Sequence, residues 1–502
     1  MSAPLRLATP LLLAAVVAWL ALAAASAAAA TITVNSLADT TGGAECTLRD
    51  AIVAANSDSW QGGCPAGAGS DTILFGVSGT IGLVSSALPH VPDGSTVTID
   101  GAGHSVTISG SNAVPVLSVS GVLTLRDLTI ANGHNSNLSF EDGGGVAVRL
   151  GGSLSVTHCT LSNNFARRGG GAISSVGALD IRDSTFSGNS TFDEGGAAVG
   201  SFGGVARISG STFVGNHTAL FGAVIETAAS FDIQNSTFSG NTANRGSVIG
   251  TRGAGSISNT TIVGNTALGL SAVGGTTLLS NTVIAGNSGG DCIDFGDLTQ
   301  AGPNLIGDGS CQLAGALTGN PMLGSLADNG GPTLTHALLP GSPAIDAGDG
   351  RICATLPTDQ RGAPRSVDGN RDGSAVCDLG AYEYARRYDF SGFLGPVDNL
   401  PTVNAIKAGR AVPVTFGLGG DQGLGIFAAA SPSSQRITCD SNAPLSDVDL
   451  TTTTGGSALT YDPATDTYTY VWKTDKAWAG TCRQLVVQLV DGTFHLASFR
   501  MK

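Results

Sequence analysis

The residues best suited to hold a metal ion are in the run Asp368-Gly-Asn370-Arg-Asp372-Gly373. Oxygen-bearing side chains at alternate positions, closed by a glycine that lets the chain turn, form the first half of a calcium loop. The twelfth position, where such a loop carries its closing acid, is Leu379, and Asp378 stands one residue short. Asp368, Asn370, Asp372 and Asp378 are therefore the candidate calcium ligands, and a solvated turn is the plainer alternative. No other cofactor is implied. A second set of charges, Asp180, Arg207 and Asp232, recurs at one place in successive repeats, with Asp183 nearby. Two carboxylates that cleave a glycosidic bond must face each other about 5–9.5 Å apart. Arg207 between Asp180 and Asp232 predicts mutual neutralisation and a surface ladder of weak ion pairs. Glu141, Asp142, Asp193, Glu194, Asp291 and Asp294 sit in loops beside glycine-rich corners and read as solubilising acids. Arg167-Arg168 reads as a solvated basic pair. The chain has no His-x-x-x-His pair, phosphate-binding loop, Gly-x-Ser-x-Gly or dinucleotide fingerprint. The repeat columns thus hold no paired-acid or base-plus-acid cluster.

A solenoid is what must position these residues. Thr-Phe-Ser-Gly-Asn at 185–189 returns as Thr-Phe-Val-Gly-Asn at 212–216 and Thr-Phe-Ser-Gly-Asn at 237–241, with looser copies on either side. The closing asparagines are Asn164, Asn189, Asn216, Asn241, Asn265 and Asn287, at steps of 25, 27, 25, 24 and 22 residues. Three residues before each stand Leu161, Phe186, Phe213, Phe238, Ile262 and Ile284. Eight before stand Val156, Ile181, Ile208, Ile233, Ile257 and Leu279. Both columns are apolar throughout, so both point inward. Their odd separation requires a bend between them, because one flat strand alternates its faces. The Gly-Asn pairs mark corners, since both residues tolerate left-handed backbone angles. Short β runs are expected at 71–75, 80–84, 95–99, 104–108, 115–119 and 121–125. A helical turn at 46–56, with Leu48, Ile52 and Ala55 on one face, suits a cap over the first coil.

Residues 1–30 read as an export signal: Arg6, an apolar stretch from Leu11 to Leu22, and an alanine-rich end. No second apolar run is long enough to span a membrane. The net charge of −14 disfavours nucleic acid and anionic lipid as partners. Nine cysteines in an exported chain suggest disulfides. Proximity in sequence suggests Cys46–Cys64, Cys292–Cys311, Cys353–Cys377 and Cys439–Cys482, although spacing alone leaves other connectivities open. Cys159 remains over and falls where other repeats carry Ser or Thr, so it reads as a buried, inert thiol.

Phe-x-x-Asn alternating with Gly-Gly-Ala resembles the repeats of right-handed β-helices of the polymorphic outer-membrane-protein type. Cys46-Thr-Leu-Arg49-Asp50-Ala-Ile52-Val-Ala-Ala-Asn56 resembles the CSLREA domain, with Thr47 and Asp50 at the family's Ser and Glu positions. The run Asp328 to Gly348, with Asp359-Gln-Arg-Gly362 and Cys377-Asp-Leu-Gly-Ala-Tyr-Glu383, resembles the choice-of-anchor Q module. Tyr388-Asp-Phe-Ser-Gly-Phe393, Pro396-Val-Asp-Asn399, Lys407-Ala-Gly409 and Trp472-Lys-Thr474 resemble a PxKF domain, with Thr415 in place of its Lys. The resemblance implies an exported bacterial surface protein and transfers no catalytic residue.

The expected fold is all-β: a right-handed parallel β-helix followed by a small Ig-like β-sandwich. The expected segments are the signal at 1–30, a CSLREA-like cap at 31–70 and the β-helix at 71–345. A choice-of-anchor-Q-like cap and linker at 346–387 and the sandwich at 388–502 follow. Cys439–Cys482 is expected to join the two sheets of that sandwich. The expected role is structural, adhesive or glycan-binding in a secreted or surface monomer, with a glycan or an envelope or matrix component as partner. The alternative is a polysaccharide lyase or hydrolase carried on the β-helix.

Overall fold

The computed structural model describes residues 29–370, 372–428, 430–440, 444–453 and 459–502, so the expected export signal lies outside the described residues but for its last two. The chain forms two compact units, 1–384 and 385–502. The first is a right-handed parallel β-solenoid of about nine turns. Parallel neighbours joined by crossovers take the right-handed sense because the strand twist allows the return only that way. Three sheets line the coils. The first contains eleven strands, from Thr31–Val34 to Leu298–Gln300. The second contains ten, from Gly79–Gly82 to Leu305–Ile306, and the third thirteen.

Inward columns hold the coils in register. Along the first sheet Ile32, Ile73, Ile99, Leu125, Val156, Ile181, Ile208, Ile233, Ile257 and Leu279 pair in succession. Along the second sheet Phe186, Phe213 and Phe238 stack with ring centroids 4.8 and 4.6 Å apart, and all three are fully buried. Each coil therefore covers the apolar face of the next at the spacing of neighbouring strands. The asparagine column forms a hydrogen-bonded ladder. Asn164 donates from its backbone N and from Nδ2 to Asn189 Oδ1, each at 3.0 Å, and the same pair of bonds recurs from Asn189 to Asn216 and onward. The residue before each asparagine takes a left-handed φ, 54° at Asn163, 63° at Gly188 and 64° at Gly215, which favours glycine or asparagine. Cys159 is free and buried in the serine column, and burial pushes its thiol up to about 12.

Two expected boundaries move. Thr31–Val34 already pairs in parallel with Ser70–Phe75, so the coils begin near residue 31 rather than 71. The helix Leu48–Ser57 is an insertion after this first strand. Thr47 caps it by accepting from the Asp50 amide at 3.2 Å, and its buried Leu48, Ile52 and Ala55 join the solenoid core. At the other end the last parallel strand is Leu305–Ile306, not residue 345. Cys292–Cys311, Leu313 and Ala316 follow against the core. The chain beyond then runs back as a strap across the outer side of the second sheet. Gln360 donates from Nε2 to Thr212 Oγ1 at 2.9 Å and accepts from Thr237 Oγ1 at 2.6 Å, while the Ala381 amide donates to Thr261 Oγ1 at 2.9 Å. Leu338, Ala344 and Leu379 of the strap bury Val263, Val283 and Leu305. Within it lies a charged cluster. Arg361 pairs with Asp359 at 2.6 Å, and the fully buried Arg365 faces Glu383 at 3.6 Å beside Asp378. Residues 346–384 thus lie along a face of the solenoid rather than over its end.

The second unit has two five-stranded sheets, one containing Ala411–Phe416 and Thr467–Lys473, the other Cys482–Gln488 and Phe494–Met501. Their shared core centres on Phe416, Tyr468, Trp472, Leu485 and Phe499. All four suggested disulfides are present. Cys439–Cys482 does not join the two sheets, however. Cys439 follows the strand Ser433–Ile437, whose Ile437 is the antiparallel partner of Cys482, so the bond closes two neighbours of one sheet.

Candidate functional site

The oxygens of the expected calcium loop are engaged by the loop's own amides. Asp368 accepts from the Gly373 amide at 2.9 Å, Asn370 from the Asp372 amide at 2.8 Å, and Asp372 from the Ser374 amide at 2.9 Å. Asp378 lies in the buried cluster instead, accepting from the Asp346 amide at 2.7 Å and from the Tyr384 amide. Asn370 and Asp372 are exposed while Asp378 is fully buried. Among the described residues no three His, Cys, Asp or Glu side chains are grouped to hold a metal ion.

The Asp180, Arg207 and Asp232 column forms in the expected register. Its charges are satisfied differently. Asp180 pairs with Arg182 at 2.9 Å, two residues along its own strand, and Asp232 accepts from Gln234 and Ser256, each at 2.6 Å. Arg207 has no ion pair among the described residues, so it does not neutralise the two aspartates. Asp183 sits at a corner with φ 49°, 3.8 Å from His158, and burial raises its carboxyl. Asp291 is no solubilising loop acid. It is buried and ends the asparagine ladder, accepting both Asn287 donors on Oδ1 at 3.0 Å. Asp294 accepts three successive amides in a turn. Arg149 pairs with Asp142, and with Glu141 at 3.5 Å.

The third sheet carries a groove. Its floor comes from the small-residue corners. A Cβ on Gly222 would lie 2.4 Å from the Gly195 carbonyl oxygen, and one on Gly246 only 1.6 Å from that of Gly222, so the column admits glycine alone. With only glycines and small side chains there, two adjoining recesses of about 360 and 320 Å³ open over it, sharing Phe221, Gly222, Glu226 and Arg252. Phe140, Phe202 and Phe221 form the apolar wall, the last 49 % exposed. Phe140 meets Phe202 edge to face at 5.4 Å, and Arg168 lies over Phe140 at 5.1 Å. Glu226 is only 8 % exposed and pairs with Arg252 at 3.1 Å. Burial raises its carboxyl, Arg252 opposes that shift, and the charge of Glu194 adds to it. Glu194 in turn lies 3.8 Å from Arg168. From the coil of Ser174 to that of Ser271 are four strand spacings, so the groove runs roughly 19 Å along the solenoid axis.

A larger hollow of about 650 Å³ lies between the last coils and the hairpin Leu323–Ala327 and Thr335–Leu338. Its polar groups are already paired. Both His336 nitrogens are bonded, to Gly324 O at 2.7 Å and Ser239 Oγ at 2.8 Å, and Asp291 and Asp308 each accept the other's amide at 2.9 Å. Burial lowers the His336 pKa, so this ring holds the strap as a neutral group. The groove, with exposed aromatic faces and a half-open fork of charges, is the better ligand site. No family model, curated protein or solved structure matches the chain.

Of the charged groove residues, the sequence named Glu194 and Arg168, both as solvated surface charges. Glu226, Arg245 and Arg252 went unmarked. A signal for Glu226 was present. Its register partners on neighbouring coils are Gly200 and Gly250, and beyond them Ser174 and Ser271. One long acid in a column of small residues costs desolvation and calls for a partner or a ligand.

Proposed function

We propose that this is an exported bacterial β-helix protein, secreted or held at the cell surface, that binds a glycan in the groove of its third sheet. The observation that carries the reading is the groove itself: aromatic faces along one wall, and a buried carboxylate with its guanidinium partner beside a glycine floor. Aromatic rings offer large, rigid apolar contact to a sugar ring, while carboxylate and guanidinium groups bond its hydroxyls. The four disulfides suit an oxidising compartment. No helix among the described residues is long and apolar enough to cross a membrane. Affinity electrophoresis of the full chain through gels containing single polysaccharides tests the reading. Retardation by at least one polymer, relieved by Phe221→Ala, supports it. Unretarded migration in every gel rejects it.

A carbohydrate-active enzyme is the second reading, and one observation favours it. Glu194 and Glu226 share the groove closely enough for one charge to raise the other's pKa. A buried acid facing a second carboxylate is the pairing that glycosidic hydrolysis uses. An assay for new reducing ends, with Glu226→Gln as the control, decides it.

A further inference from the structure

Resting on the glycan-binding reading, we propose that the groove selects an acidic glycan, one bearing carboxylate or sulfate groups, and that Arg245 is the residue that recognises the charge. The argument follows from charge balance inside the groove. Glu226 is matched by Arg252 at 3.1 Å, Glu194 by Arg168 at 3.8 Å, and Asp193 by Arg167 at 3.3 Å. Arg245 lines the same recess and lies 5.7 Å over the exposed ring of Phe221. Among the described residues it has no carboxylate within 4.0 Å. Its neighbour Arg252 gives Nη2 to Glu226 and is still 66 % exposed along its side chain. The groove therefore holds one unmatched positive charge, next to an aromatic face, on a chain whose net charge is −14.

That unmatched charge is chemically specific. A neutral glycan needs hydroxyl partners and an apolar face, which Glu226, Arg252 and the phenylalanines supply without Arg245. A carboxylate or sulfate needs a planar fork of donors, which a guanidinium provides in bidentate geometry. The surrounding acidic surface repels polyanions at long range, so binding must come from this local contact. A sugar ring seated on Phe221 would bring its charged substituent to Arg245, the guanidinium above that ring.

The test compares full-length protein on polygalacturonate, its fully methyl-esterified form, a sulfated galactan and a neutral β-glucan. The expected result is retention by polygalacturonate or by the sulfated galactan, the arm that binds naming the anion. Esterification should weaken polygalacturonate binding about ten-fold, and Arg245→Gln should do the same to the bound anionic polymer while Arg245→Lys recovers part of it. Equal binding of acid and ester, or no effect of Arg245→Gln while Phe221→Ala still releases the polymer, would overturn the inference and leave the glycan reading intact. No binding to any of the four polymers would remove both.

Discussion

Two outer faces of the same solenoid meet opposite fates. On the second sheet the threonine column is half-buried at Thr160 and Thr185 but buried at Thr212, Thr237 and Thr261, where the returning strap covers it. There the hydroxyls are consumed by Gln360, Leu334 and Ala381 of the same chain. On the third sheet no described residue of the strap returns. Glycine corners leave a recess, and Phe221 stays half exposed. The coil backbone is alike on both faces, so it does not decide which one is available to a ligand. What decides is whether the chain's own tail supplies the partners. The strap then makes its residues structural, and the open face leaves Glu226, Arg252 and Arg245 for outside chemistry.

Breaking the covered side should cost most. Arg365→Ala leaves Glu383 and Asp378 buried without their cation, and the solenoid unit should lose about 3–5 kcal/mol in denaturant unfolding. Phe213→Ala, inside the coils, should cost about 3–5 kcal/mol by opening a cavity between two stacked rings. The next effect is a pH dependence. The strap cluster sets Asp359, Asp378 and Glu383 against Arg361 and Arg365, so full ionisation leaves an excess negative charge in a dry site. Burial, with the charge of Glu383, pushes Asp378 up to about 8, and burial raises Glu383 as well. A carboxyl raised above its unfolded value of about 3.9 stabilises the fold fully only below that value. The contribution is lost as pH rises through about 8. The urea midpoint should therefore fall between about pH 5 and pH 9, and Asp378→Asn should flatten that slope. The open side should respond least in stability. Phe221→Ala should shift unfolding by less than about 0.5 kcal/mol, as for a surface position, yet weaken glycan binding at least about ten-fold. A large stability loss at Phe221 would mean that the groove is packing rather than a binding surface.

The covered and open faces were not equally readable beforehand. Inward columns announce themselves because burial demands the same residue class in every copy; Phe186, Phe213 and Phe238 could be placed in contact from offset alone. The asparagine ladder was clear for the same reason. Contacts made once leave no repetition to detect. Gln360 bonds Thr212 and Thr237 across more than a hundred residues of chain, and no period links them. The calcium-like spacing at 368–373 is ambiguous in a related way, because oxygens at alternate positions serve equally well to accept the amides of a tight turn. Glu226 broke a column rather than forming one, and attention to repetition passes over what interrupts it. Asp291 was misplaced because its sequence neighbourhood is a glycine-rich loop, while its carboxylate belongs to a column of amides.

The end of that column has a further consequence. Each asparagine in the ladder both gives and takes, so each addition leaves a new amide that wants an acceptor. Asp291 only takes. It satisfies the last amide and presents no Nδ2 of its own, in the way that a chain-terminating monomer stops a polymer while leaving it intact. Replacing it by asparagine would restore a reactive end to the series. The side-chain ladder is thus closed by one atom exchange, an oxygen where the asparagines from Asn164 to Asn287 each carry a nitrogen.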